Sequence, residues 1–149
     1  MMFEIRLQTY WSDADPAGLV YFPHFFRFVD CAESELFRAA GAERMELWDA
    51  SGVWMPRVES FAKYLKPVRA EEAVFVRLRT RIKGEKTVRM EFEILHSTDR
   101  SVLAEGYVTA VCISRQTSRS CPLPPRVREI YETASESQSQ NNTAPELSP

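Results

Sequence analysis

The sequence predicts an α+β domain, one long amphipathic helix packed against an antiparallel β-sheet, and three observations predict it. Apolar residues recur at helical spacing between Pro23 and Ala40. Two later segments alternate apolar and charged residues on either side of a Gly84-Glu85 turn. The long strand-like segments follow one another without intervening helices, the order that builds an antiparallel sheet with its helix on one face.

Taken in order, residues 3–11 alternate (Phe3, Ile5, Leu7, Thr9, Trp11 against Glu4, Arg6, Gln8, Tyr10) and read as a first strand. The helix carries Phe25, Phe28, Val29, Ala32, Leu36 and Ala40 on one stripe, and Gly41 stands where a left-handed residue stops a helix. A short second helix is expected over 43–50, then a strand from Val53 to Val68 with Pro56 near its start. Val74, Val76, Leu78, Thr80 and Ile82 share one face of the next strand. Val88, Met90, Phe92 and Ile94 return along that face after the turn. Residues 102–114 read as a last long strand, stopped by Pro122-Leu-Pro-Pro125, and 126–134 as a terminal helix. One helix covers one sheet face only, so the other must meet solvent or a partner, and self-association is expected.

The chain of 149 residues, 44% hydrophobic, has enough apolar material for one core. The domain is expected over 1–134, with a disordered tail of Ser, Gln, Asn, Glu and Pro over 135–149. A net charge of -2 argues against nucleic acid as the main partner. No apolar run approaches the roughly 18–20 residues of a membrane span, and the start shows no signal-peptide pattern. Three cysteines, Cys31, Cys112 and Cys121, are odd in number and fit no metal spacing, which suits reduced thiols and a cytoplasmic location. Asn141-Asn-Thr143 is a sequon that matters only after secretion.

The chemistry concentrates in Trp11–Asp30. Pro16 pushes Asp15 towards extended backbone, Gly18 supplies a freely turning position, and Pro23 suits a helix start. A carboxylate therefore precedes a helix N-terminus, whose free N–H groups favour developing negative charge. Such a pair suits acyl transfer. Asp13 and Asp15 also fit a plain turn. A calcium loop does not fit, because Ala17 and His24 fall where ligands are required. Cys31 inside the helix reads as a packing residue. His24 reads as a substrate contact or a polar residue of the cap region, and His96 as solvated. Lys83, Lys86 and Arg89 cluster around one turn and fit either a solvated surface or phosphate contacts, as do Arg115 and Arg119.

The run Asp13-Ala-Asp15-Pro16-Ala17-Gly18-Leu-Val-Tyr21-Phe22-Pro23-His24-Phe25 resembles the signature of hot-dog-fold acyl-CoA thioesterases of the 4-hydroxybenzoyl-CoA thioesterase and YbgC type. The resemblance extends over about residues 3–130, with Glu35 in the helix. The closing Val111-Cys112-Ile113 and Pro122-Leu-Pro124-Pro125 is similar to the 1,4-dihydroxy-2-naphthoyl-CoA thioesterases. It implies a central helix wrapped by the sheet. It also implies Asp15 as nucleophile or general base and the Phe22 backbone N–H polarising the thioester carbonyl. Tyr21, His24, Lys83, Lys86 and Arg89 are implied as substrate contacts, the basic turn meeting CoA phosphates across a subunit boundary. A homodimer or homotetramer with the site between protomers is implied, with no metal and no cofactor beyond the coenzyme A of the substrate. Phe22 replaces a frequent His and His24 a usual Asn, which leaves a carboxylate-plus-helix mechanism. Trp11, Tyr21, Phe25, Phe26 and Trp54 near the loop suit an aryl or medium acyl group and equally suit core packing, which leaves only a slight preference for an aryl group. The alternative on the same fold is a non-catalytic acyl-CoA or acyl-carrier-protein binding module.

Overall fold

The computed structural model describes residues 2–135. In chain order it contains β1 (Phe3–Gln8), α1 (His24–Ala39), α2 (Arg44–Ser51), β2 (Val53–Trp54), β3 (Arg57–Tyr64), β4 (Ala73–Lys83), β5 (Thr87–His96), β6 (Val102–Val111), β7 (Ile113–Ser114) and α3 (Pro125–Glu132). Five strands form one sheet in the order β1-β4-β5-β6-β3, every neighbouring pair antiparallel, and β2 and β7 form a small second sheet.

The helix packs as its stripe requires. Phe25, Phe28, Val29, Ala32, Leu36 and Phe37 are buried against Val74, Val76 and Leu78 of β4 and Val88, Met90, Phe92 and Ile94 of β5. A fully buried side chain of this size contributes about 1.5–3 kcal/mol, so this one stripe outweighs any surface contact on the helix. Gly41 adopts φ +79°, the left-handed stop expected there.

Three expected elements differ. The first strand ends at Gln8, because the Asp13 carboxylate accepts the Tyr10 N–H at 2.8 Å and curls Trp11–Asp13 into a 3₁₀ turn. The stretch expected as one strand over Val53–Val68 is two. Pro56 has no N–H for a ladder, so β2 turns away to pair with β7 while β3 pairs with β6. The last strand divides at Cys112: its N–H still meets the Lys86 carbonyl at 2.8 Å, in register with β5, whereas Ile113 and Ser114 beyond it pair with β2. The expected tail lies outside the described residues from 136 onward; Ser135 still bridges to Thr80.

An acid on α1 sits in the core. Glu33, not Glu35, is fully buried on α1, where Tyr131 Oη donates to it at 2.6 Å, Arg44 Nη1 at 2.8 Å, and Arg57 also donates. Burial first, then the neighbouring Glu33 charge, pushes the Tyr131 phenol well above its usual value, so it remains a donor. Glu35 faces outward and pairs with Arg38 at 2.5 Å.

Candidate active site

The loop before α1 is fixed by its own backbone and by the chain that leads into β4. Asp15 N–H donates to the Leu19 carbonyl at 2.7 Å and Gly18 N–H to the Asp15 carbonyl at 3.0 Å, closing a tight turn that Gly18 permits at φ +78°. Val20 N–H then reaches the Val68 carbonyl at 2.7 Å, and Ala70 N–H the Gly18 carbonyl at 3.0 Å.

Two aspartates two residues apart end in different environments. Asp13 is buried at 2% exposure and anchors the loop to the helix. Its Oδ1 accepts from Arg27 Nη2 at 2.5 Å, and its carbonyl accepts the Tyr21 N–H at 2.8 Å. Burial pushes the Asp13 carboxyl up. The Tyr10 N–H, the Arg27 bond and charge, and the nearby His24 outweigh that and hold it below the usual carboxylate value. Asp15 is half-buried; its Oδ1 accepts the N–H groups of Ala17 at 2.8 Å and Leu19 at 3.3 Å. No described group donates to Oδ2. One oxygen is held while the other stays available, as a nucleophile or general base requires.

Asp15 and Phe22 line the same cleft of about 290 Å³, together with Phe25, Tyr64, Lys66 and Val68. Phe22 precedes the first turn of α1: its carbonyl accepts the Phe25 N–H at 3.4 Å and the Tyr64 hydroxyl at 3.1 Å. Among the described residues its own N–H has no acceptor, so a donor stands unused at the head of a 16-residue helix. Tyr64 also stacks edge-on to Phe22 and Phe25, with centroids 6.1 and 5.2 Å apart. Burial raises its phenol above the usual value, so it is a neutral donor. Sequence reasoning missed Tyr64 and Arg27. Nothing local marks either, since Tyr64 meets the site only through the pairing of β3 with β6.

The other expected contacts are placed apart. Tyr21 and His24 sit beside the cleft without lining it, ring edge against ring face at 5.7 Å. His24 Nδ1 lies 3.3 Å from Asp13 Oδ1, outside hydrogen-bond geometry. Lys83 and Lys86 stand at the β4–β5 turn, whereas the Asp15 loop joins the opposite end of β4. The 11 residues of β4 separate them by on the order of 35 Å. Lys86 Nζ meets Ser120 Oγ at 3.3 Å. Arg89 is not part of that turn. Pairing with Arg81 puts it two residues into the sheet on the face opposite α1, where its guanidinium lies 3.5 Å from the Tyr107 ring centroid. Trp11 is 82% exposed and Trp54 lies by Arg115, so neither packs at the cleft.

A carboxylate with one oxygen free of described donors and an unpaired N–H at a helix head, on a helix-and-sheet frame, are parts that acyl-transfer chemistry can use. The model of the thioesterase-like superfamily matches residues 9–130. The chain belongs to that superfamily, whose members include hot-dog-fold thioester hydrolases, as its signature implied. It is 24% identical over 120 residues to a 1,4-dihydroxy-2-naphthoyl-CoA hydrolase of Synechococcus elongatus, covering 80% of this chain and 87% of that one. A solved 1,4-dihydroxy-2-naphthoyl-CoA thioesterase from Synechocystis shares the fold with a TM-score of 0.80 at 22% identity, covering 90% of this chain and 95% of that one. A gentisyl-coenzyme A thioesterase superposes with a TM-score of 0.73 at 25% identity, covering 84% and 98%.

Proposed function

We propose that this chain hydrolyses a CoA thioester, with an aryl acyl group preferred over short or medium aliphatic ones. The observation that carries the reading is the shared cleft of Asp15 and the unpaired Phe22 N–H. The thioester carbonyl oxygen takes the Phe22 N–H. Asp15 attacks the carbonyl carbon, or takes a proton from a water that does. The oxyanion that forms is stabilised by a donor already in place and by the helix head behind it, so no reorganisation opposes the step. The coenzyme A thiolate then leaves, and hydrolysis returns the carboxylate. No step calls on a metal or a further cofactor. The aryl preference draws on the names of the relatives and on the aromatic wall of Phe22, Phe25 and Tyr64.

The reading includes a second copy of the chain. Lys83 and Lys86 cannot reach a CoA whose thioester lies at Asp15 of the same chain, so a partner's turn is assigned the phosphates. Strand β3 supports this: it is an edge strand of eight residues, solvent-exposed along nearly its whole length, with Val58 and Phe61 both at least half exposed. An open apolar edge is a template for pairing with another chain. Three free thiols support a cytoplasmic location.

The test is turnover of a panel of CoA thioesters: dihydroxynaphthoyl, gentisyl, 4-hydroxybenzoyl, phenylacetyl, and short and medium aliphatic acyl groups. Preferred hydrolysis of one aryl thioester is the expected result. Tight binding of acyl-CoA without release of free thiol would replace this reading with the binding module.

A further inference from the structure

The proposed reaction uses no thiol, yet two of the three cysteines stand sulfur to sulfur. Cys112 Sγ and Cys121 Sγ are 3.6 Å apart. Cys121 N–H donates to the Cys112 carbonyl at 2.9 Å, and the adjacent residues Ile113 and Ser120 form an antiparallel bridge. The two cysteines therefore face each other across a ladder. Directly opposed residues in such a ladder have Cα atoms about 4.5–5.5 Å apart, inside the roughly 4.4–6.8 Å that a disulfide spans. A side-chain rotation is enough to bring the sulfurs to bonding distance. A metal pair is a poorer reading, because among the described residues no group of three His, Cys, Asp or Glu forms a cation cluster. Cys31 lies elsewhere, on α1 beside Arg27.

We propose that Cys112 and Cys121 are a dithiol site that closes to an intramolecular disulfide when a hydroperoxide oxidises it, and reopens under a thiol reductant. The two sulfurs have unequal parts. Cys112 is fully buried, and burial, then its bond to and charge from Cys121, pushes its thiol up to about 12. Cys121 is only partly buried and is the sulfur a peroxide meets. Its thiolate attacks one peroxide oxygen, the O–O bond breaks, an alcohol or water leaves after taking up a proton, and a sulfenic acid remains. The Cys112 sulfur then attacks the Cys121 sulfur, its proton joins the departing hydroxide as water, and the S–S bond forms. The dithiol loses two electrons, and the peroxide gains them.

The bond would fasten the 113–120 hairpin to the end of β6. That hairpin carries Arg115 and Arg119, and Ser120 holds Lys86. The backbone of Lys86 is tied in as well, through its carbonyl to the Cys112 N–H. Any effect on CoA binding rests on the proposed function; the disulfide does not.

The test is peptide mapping of the full chain treated with hydrogen peroxide, alkylated under denaturing conditions and digested with trypsin. Cleavage at Arg100, Arg115, Arg119 and Arg126 separates the two cysteines. The expected product is peptide 101–115 joined to peptide 120–126, lost on reduction, absent from Cys121→Ser and kept in Cys31→Ser. Two alkylated peptides after oxidation would overturn the proposal. So would a sulfinic acid at Cys121 with Cys112 still alkylated. The readout is a mass, so it stands or falls apart from acyl-CoA hydrolysis.

Discussion

Arg27 Nη2 donates to Asp13 Oδ1 at 2.5 Å, and this contact ties the first turn of α1 to the loop that precedes it. The loop carries Asp15 and the helix head presents the Phe22 N–H, so the pair sets the position of one proposed reacting group against the other. Arg27→Gln leaves a buried acceptor with a weaker donor. Because the guanidinium is 46% exposed, the expected stability loss is modest, about 1 kcal/mol. The expected fall in kcat is larger in proportion, since small misplacements of reacting groups are expensive. Urea unfolding and steady-state kinetics on the same variant check both.

The Asp13 carboxyl also sets a pH dependence. Its folded value lies below the ordinary 3.8, so folding favours the ionised form. That stabilisation is complete above the ordinary value and is lost as pH falls through the lowered folded one. Wild-type stability should therefore drop below about pH 4, and Asp13→Asn, less stable at neutral pH, should show a flatter profile there. Unfolding free energies measured between acid and neutral pH test the sign.

Tyr131→Phe removes the hydroxyl that donates to Glu33 Oε1 in the core. A buried carboxylate oxygen without its donor costs about 1–3 kcal/mol. A urea midpoint unchanged from wild type would contradict the role assigned to this contact.

Gly106→Ala tests the seating of the edge strand. A Cβ there would lie 1.9 Å from the Phe61 carbonyl oxygen and 2.8 Å from its carbon, both backbone atoms of β3. Strand β3 must then move, at an expected loss of about 1–3 kcal/mol. If β3 is the pairing edge, the variant should also shift towards monomer in sedimentation.

Much of this frame was legible in residues 73–96, where strict alternation around Gly84 can be satisfied by only one hairpin. Helix α1 was legible because six apolar residues at helical spacing have no other common face. Boundaries failed where one residue changed the chain's path. Pro56 split a long apolar run, the Asp13 side chain bent the first strand, and the last strand passed from β5 to β2 after Cys112. Of the candidate site, the placing of Asp15 and Phe22 in one cleft was legible, because they stand seven residues apart on one loop. Tyr64 joins them only once β3 lies along β6, and Tyr131 reaches Glu33 across 98 positions. No spacing rule encodes either.

Lys86→Ala examines the assignment of CoA phosphates to a partner's turn. KM for an acyl-CoA should rise several-fold with kcat unchanged. The matching acyl-pantetheine, which lacks the nucleotide, should show no change.

The most direct test of the central claim is the rate of acyl-CoA hydrolysis by Asp15→Asn against wild type, with folding confirmed by matched unfolding curves. Asparagine keeps the size and the turn but neither attacks nor accepts a proton. A fall in kcat of at least about a hundredfold, about 2.7 kcal/mol of transition-state stabilisation, is the predicted result. A folded Asp15→Asn that turns over like wild type would contradict the account and place the chemistry elsewhere.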